Sequence, residues 1–369
     1  MKNKICCVFN LAPHYRLSIY KLMDQQLECD FYFGDKVGSP IKLLDYSELK
    51  GYKSELKNSQ VLNTSFTWQK GAWQLIFKPY KHYIINGGPN FLANWIILFF
   101  AKILGKKVHS WDHGMKGDPE TKYKFFEHYF YKFCNTVFLY GHYSKNVMLN
   151  KGFPKEKLVC IYNSLDYKKQ LEIRENLKKT DIYKIKFKNN APVISYIGRI
   201  QKSKKLDLLI ESIAKLNNNG IACNLVIIGP NVENDDMNKF VDKFKIKNKV
   251  WFYGPCYDEQ LTGNLLYNSE VCVTPGAIGL TAIHSMAYGT PVITSDNFLI
   301  HGPEFETIIP GETGDFYKDN DLDDLTLKIK KWINLNKEQQ IITEKNAYKV
   351  IDDKYNPLYQ IEVLKKVLK

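Results

Sequence analysis

One rhythm, run through twice, constrains what this chain can fold into. A short apolar segment of strand length leads through a turn to a longer segment with helical spacing, and then to another short apolar segment. In the first half KICCVFN leads to PHYRLSIYKLMDQ and on to CDFYFG, and HYIING precedes a helix around Trp95. KKVHSWDHG follows that helix, and TVFLYG precedes a segment from Ser144 that leads to LVCIYNS. In the second half APVISYIGRI is followed by LDLLIESIAKLNNNG. There Leu208, Leu209, Ser212, Ile213 and Leu216 recur at helical spacing, and Gly220 supplies the stop. CNLVIIGP, a charged helix through Phe244, VWFYG, a short helix before SEVCVTP, LTAIHSMAYG and PVITSD complete the series. Such alternation predicts an α/β fold with open, mostly parallel sheets.

The length of 369 residues allows about two domains. Residues 1–165 are expected to form a Rossmann-like domain, and 190–350 a second one facing it across a cleft. Residues 166–189, dense in Lys, Glu and Asn, are read as a surface connection with some helix. The tail reads as two helices interrupted at Tyr355-Asn356-Pro357, with 351–369 expected to pack back on the first domain.

With 44% hydrophobic and 25% charged residues, disordered, collagenous and coiled-coil classes are excluded. A net charge of +13 suits nucleic acid, an anionic membrane or phosphorylated small substrates, and does not choose among them. Eight cysteines show neither disulfide-dense nor CxxC spacing and are expected to be reduced and mostly buried. The start, MKNKICCVFN, reads as a first strand and not as a signal peptide, which places the chain in the cytoplasm. The most apolar stretch, Phe91 to Leu104, falls short of the roughly 20 residues that span a bilayer and is expected to be a buried helix, with a membrane-dipping helix as the alternative. Basic segments at Lys102-Lys106-Lys107 and Tyr123-Lys124-Phe125-Phe126 also suit a first domain resting on anionic lipid, at the inner face of the cell membrane.

Open parallel sheets bind ligands beyond the carboxyl ends of their strands, so the loops there hold the candidates. Gly198 and Arg199, with Lys204 before a helix, offer N–H groups, a guanidinium and an ammonium to a diphosphate; a solvated basic loop is the alternative. Gly276, Ile278, Gly279 and Leu280 run into a helix with His284 one turn in, which fits a phosphate and nucleoside contact or a purely structural turn. His113, beside Asp112, can donate to an oxygen or move a proton near neutrality; an ordinary loop histidine is the alternative. His14, Tyr15 and Arg16 follow the first strand; Arg16 suits an anionic acceptor, or is a first-turn surface residue. Glu304 and Glu306 can bond sugar hydroxyls, although in an extended segment they point oppositely. Asp319-Asn320-Asp321 imitates a metal pair, but helix capping explains it.

Taken together, YIGRIQKSKKLDLLIESIAKL, LVIIGP, VWFYG, PGAIGLTAIHSMAYGTPVITSD and IIPGETGDFY resemble the retaining GT-B glycosyltransferases of family 4 (glycosyl transferases group 1), of bacterial surface-polysaccharide type. WDHG and IYNSLD match more weakly. The resemblance implies the GT-B fold and transfer of a sugar, hexosyl in type, from a UDP- or GDP-sugar to a hydroxyl of a glycan or lipid-linked glycan. It implies catalytic roles for Arg199 and Lys204 on the diphosphate and for His113 beside the transferring sugar. Gly198, Gly276, Ile278, Gly279, Leu280 and His284 would bind the donor, and His14, Tyr15 and Arg16 the acceptor. No metal and no cofactor beyond the nucleotide sugar are implied. The family's paired glutamates fall here on Gly276 and His284; Gly276 cannot grip sugar hydroxyls, and Glu304 or Glu306 is the expected replacement. A sugar-nucleotide epimerase of similar fold, and a noncatalytic nucleic-acid-binding protein, are the rival readings; nucleic acid is not expected as a partner, since no zinc-finger or RNP-like motif is present.

Overall fold

The computed structural model describes residues 5–35, 42–62, 64–118, 124–234 and 236–369. Met1–Lys4, read as part of the first strand, lie outside the described residues, as do Tyr123 and the side chain of Lys124 from the second basic segment. Contacts divide the chain into one unit running to Asp166 and joined by Asn356–Lys369, and another of Tyr167–Tyr355.

The first unit contains β1 (Ile5–Phe9), α1 (Leu17–Leu27), β2 (Cys29–Gly34), β3 (Tyr52–Leu56) and a hairpin of β4 (Asn58–Gln60) and β5 (Thr67–Gln69). It continues with β6 (His82–Ile85), α2 (Leu92–Ile103), β7 (Lys107–Asp112), α3 (Lys124–Phe133), β8 (Thr136–Leu139), α4 (His142–Asn150) and β9 (Leu158–Cys160). Its main sheet is parallel, in the order β3-β2-β1-β6-β7-β8-β9. Every residue of β1, β6 and β8 is buried. Helices on both faces of a parallel sheet account for these uninterrupted apolar runs. From β1 the chain winds outward one way to β3 and restarts on the other side at β6, so a switch point lies between β1 and β6.

The second unit opens with α5 (Tyr167–Asn176) and α6 (Ile182–Phe187), where the sequence suggested a connection. Arg174 holds α5 down by donating to both carboxylate oxygens of Asp352 at 3.0 Å. Then come β10 (Val193–Ile197), α7 (Leu206–Asn218), β11 (Asn224–Ile228), α8 (Asn238–Lys243), β12 (Val250–Gly254), α9 (Glu259–Tyr267) and β13 (Val271–Thr274). The unit ends with α10 (Thr281–Ala287), β14 (Val292–Ser295), β15 (Gly314–Tyr317), α11 (Leu322–Ile333) and α12 (Lys337–Lys354). Its sheet is parallel as well, in the order β12-β11-β10-β13-β14-β15, with the switch point between β10 and β13. The helical spacing on α7 buries Leu209 and Ile213 against Ile194 and Leu225, beside Ile329 and Trp332 of α11. Asp321 caps α11, accepting from the N–H groups of Asp323 and Asp324 at 3.0 Å. That is the capping its spacing predicts. The chain is thus a mixed α/β protein with two Rossmann-like parallel-sheet units.

The last helix, α13 (Pro357–Val367), returns to the first unit. Asn356 accepts the Tyr359 N–H at 2.9 Å, and Pro357 occupies the first helical turn. Gln360 is buried; its Oε1 accepts from Ser164 Oγ at 2.7 Å and its Nε2 donates to the Tyr162 carbonyl at 2.9 Å. Ile361, Leu364 and Leu368 join Ile19 and Met23 of α1 in one core.

The helix over Phe91–Leu104 was expected to be buried, yet α2 sets only one side on the core, through Ala93, Asn94, Ile97, Leu98 and Ala101. Phe99 and Ile103 are each 63% exposed. A sheet covers one face of a surface helix, and α2 is apolar on the other face too.

Because Leu364 is completely buried, Leu364→Ala is expected to destabilise the protein by about 2–4 kcal/mol. Urea unfolding followed by tryptophan fluorescence checks this.

Candidate active site

In the second unit the loops that leave β10 and β13, on either side of the switch point, are joined by main-chain hydrogen bonds. Gly276 N–H donates to the Lys204 carbonyl and Ala277 N–H to the Ser203 carbonyl, both at 3.0 Å. The Lys204 ammonium donates to the Ala277 carbonyl. A Cβ on Gly276 would stand 2.0 Å from the Ser203 carbonyl oxygen, so this pairing admits no side chain at 276. A glutamate there, as in the family that the sequence resembles, would meet this overlap. Burial, and then the charge of neighbouring Arg199, lower the Lys204 pKa. Two cations near each other are the kind of groups that bind an anion. Gly198 has φ of 148°, and its carbonyl oxygen lies 1.9 Å from where a Gly229 Cβ would be, so the ends of β10 and β11 also meet backbone to backbone.

The loop after β14 is stitched to the same place through Ile278. The Ile278 N–H donates to His301 Nδ1 at 3.2 Å, and its carbonyl accepts the Gly302 N–H at 2.7 Å. His301, buried, donates from Nε2 to the Ser295 carbonyl at 2.8 Å, which leaves Nδ1 as the acceptor that Ile278 uses. Residues Pro303–Thr307 form a 3-10 turn and not the extended segment the sequence suggested, because Pro303 presets the first helical φ. This separates the two glutamates. Glu304 is 4% exposed, and its Oε2 lies 2.5 Å from the point where a side chain on Gly302 would begin and 3.7 Å from that point on Gly279. Glu306 is half-buried in the same turn. Ile278, Gly279 and Leu280 accordingly lie between the cationic loop and the Glu304 carboxylate.

His284, on α10, is bound to a residue that sequence reasoning missed. Its Nε2 donates to Glu259 Oε1 at 3.0 Å, and the same oxygen accepts from Tyr288 at 2.7 Å and Gln170 at 3.0 Å. Burial alone would raise the Glu259 pKa, but the His284 hydrogen bond and charge, with Tyr288 and Gln170, outweigh it and hold the carboxyl at about 2. A carboxylate from α9 thus stands beside His284. The only sequence signal was an acidic first turn, which helix-dipole chemistry explains equally well.

Beyond β10, β11 and β12 lies an open recess of about 500 Å³ lined by Ile200, Gly229, Pro230, Asn231, Tyr253 and Pro255 among others. It adjoins the Gly198 turn and offers backbone polar groups with an aromatic wall.

The first unit gathers a separate set at its own strand ends. Arg16 donates to the Tyr140 hydroxyl, and its guanidinium lies 5.4 Å from the Trp111 ring and 5.2 Å from the Tyr140 ring. The ring of His113 lies 5.0 Å from that of Tyr140. Loss of hydration, then the charges of Lys116 and Arg16, lower the His113 imidazole to about 4, so it is neutral at pH 7. Asp112 accepts the His113 backbone N–H at 2.7 Å, so it orients the main chain of that residue. His14 is exposed, with Nδ1 3.1 Å from the Lys42 carbonyl, and Tyr15 packs edge-on against it at 5.9 Å. Among the described residues no group of three or more His, Cys, Asp or Glu side chains is arranged to hold a metal.

The glycosyl transferases group 1 family model matches residues 178–350. The chain is 24% identical, over 85% of its length and 84% of the relative's, to the capsular polysaccharide biosynthesis glycosyltransferase CapM of Staphylococcus aureus. Among solved structures it is similar to HepE of Anabaena in complex with UDP, with a TM-score of 0.75 and 14% identity over 99% of each chain. It is also similar to the lipopolysaccharide outer core galactosyltransferase WaaB, with a TM-score of 0.71 and 15% identity over 99% of each chain. The fold is GT-B, and the chain is a glycosyltransferase.

Two outcomes follow from the site's geometry. Gly276→Glu is expected to lower both the melting temperature and donor binding, because it forces the 203–204 and 276–277 backbones apart. Glu259→Gln is expected to cost about 1.5–3 kcal/mol at neutral pH. Since the folded pKa lies below the ordinary value, that difference is fully present above pH about 4.5 and is lost as pH falls toward 2. Denaturant midpoints of both proteins across that range check it.

Proposed function

We propose that this chain is a retaining glycosyltransferase of family 4 type that takes a UDP-sugar and transfers the sugar to a hydroxyl of a surface-polysaccharide glycan, free or lipid-linked. The observation that carries the reading is the joining of the Arg199–Lys204 loop to the Gly276–Leu280 loop at the switch point of the second sheet. UDP is favoured over GDP because HepE, the similar structure named above, is seen with UDP. The capsular polysaccharide transferase among the relatives supports a glycan acceptor.

In this reading the base enters the recess walled by Tyr253 and Asn231, and the ribose meets His284, which Glu259 fixes in place. The diphosphate lies on Arg199, Lys204 and the N–H groups of the glycine turn. As the bond from the anomeric carbon to the β-phosphate oxygen breaks, negative charge grows on the diphosphate, and the fixed cations stabilise it more than they stabilise the intact donor. The acceptor hydroxyl adds from the same face and passes its proton to the departing phosphate oxygen, which retains the anomeric configuration. Glu304 takes the sugar hydroxyls that the family's first glutamate would hold; its burial against Gly279 favours it over Glu306. From the first unit, neutral His113 serves as a hydrogen-bond partner of the transferring sugar, and His14, Tyr15 and Arg16 serve the acceptor.

Mass spectrometry of nucleotide-sugar panels, with and without a membrane-lipid glycan extract, tests the reaction. Mass gain on the acceptor with UDP release is expected; isomerised donor without acceptor would replace transfer with epimerisation. Arg199→Ala and Lys204→Ala are each expected to slow transfer by about 100-fold or more, as loss of one transition-state contact does. Glu304→Gln should do likewise while folding is retained, with Glu306→Gln within about threefold of the parent. Equal rates for the two glutamine variants would remove Glu304 from the role.

A further inference from the structure

From Leu56 to Trp111 the chain carries seven lysines and no aspartate or glutamate, although the whole chain holds 39 acidic residues. A segment of this length with one sign of charge sets up a positive field over the surface it forms. The same segment contributes α2, whose 12 residues include a single charge, Lys102. One side of α2 is in the core. On the other, Phe99 and Ile103, one turn apart, are each 63% exposed, followed by Leu104 at 44%.

The exposed apolar surface continues past the helix. Phe99 packs on Phe100 at 5.3 Å and Phe100 on Phe77 at 5.2 Å, and Phe77 is itself 55% exposed. Trp95 meets Phe126 at 5.9 Å, which carries the surface onto α3, where Phe133 is 51% exposed. The ammonium of Lys106 ties the pieces together by donating to the carbonyls of Ile76 and Lys78 at 2.6 and 2.5 Å. Exposed lysines lie beside the rings in sequence: Lys102 precedes Ile103 and Lys107 lies just beyond the helix, while Lys78, after Phe77, directs its ammonium to the Tyr32 hydroxyl at 2.9 Å.

Clustered exposed aromatic and aliphatic side chains mark a contact surface. The lysine border decides which kind. A second copy meeting this face about a two-fold axis would set like charges against each other. An anionic bilayer does the opposite: rings enter the interfacial layer while the lysine stems lie along it and their ammonium groups meet lipid phosphates. At 12 residues α2 is too short to span the hydrocarbon layer, so this face lies on the bilayer and does not cross it.

We propose that α2, the turn Trp73–Phe77 and the adjoining edge of α3 form a docking face for the surface of an anionic phospholipid bilayer. Its purpose rests on the transfer reading above, because a chain held there meets lipid-linked acceptors; the docking chemistry does not. The test is sedimentation of the full-length chain with vesicles of phosphatidylcholine alone or mixed with phosphatidylglycerol, at low and high salt, with UDP binding measured in parallel by calorimetry. Retention on the mixed vesicles that falls with salt is expected. Lys102→Gln should weaken it on the order of fivefold. The double variant Phe99→Ser, Ile103→Ser should weaken it at least tenfold and leave UDP binding unchanged. No retention of the parent, equal retention of parent and double variant, or a parent dimer that the double variant dissolves would each overturn the docking face. Vesicle retention without UDP binding would uphold the docking face and overturn the donor reading instead.

Discussion

The second unit's site depends on two main-chain hydrogen bonds, from Gly276 to Lys204 and from Ala277 to Ser203. They lock together the loops on either side of the sheet's switch point, where a parallel α/β sheet leaves its crevice. Once these loops touch, Lys204 cannot leave the glycine turn, Ile278 is presented to the next loop, and that loop brings Glu304 against Gly279. The contact is also exclusive. Because a side chain at 276 would overlap the Ser203 carbonyl, tightly joined loops and a glutamate at 276 are alternatives in this chain.

That exclusion gives a physical reading of Gly276, where the family that the sequence resembles has a glutamate. Two carboxylates reach the site from other elements: Glu304, from the turn after β14, lies against Gly279, and Glu259, from the start of α9, holds His284. Glu259 is the more constrained of the two, with three donors on one oxygen, so it serves as an anchor for His284 more than as a freely approachable acceptor.

Much of this was legible in the sequence because the fold writes itself in uninterrupted apolar runs. β1, β6, β8, β10, β11, β13 and β14 are buried on both faces and announce themselves as VISYI or NLVII do. β15, with its GDFY sequence, and β3, with alternating exposure in YKSEL, lie at sheet edges and carry no such run; neither stood out. The turn at Pro303–Thr307 was missed because two glutamates after a strand look extended until the proline is weighed. Glu259 and His301 were invisible for another reason: their partners are 25 and 23 residues away in sequence, and no local pattern encodes a contact across that distance. The exposed side of α2 was misjudged because apolar residues on every face ordinarily mean burial.

The order in which the chain leaves the ribosome gives the last helix a further meaning. Residues 167–355 form one uninterrupted unit and can fold as soon as they have emerged. The first unit, made earlier, lacks part of its core until Ile361 and Leu364 arrive, within the last nine residues of 369. Domains ordinarily fold in the order of synthesis. Here the first unit is completed only after the second has been made, and α1 keeps an uncovered apolar side until then.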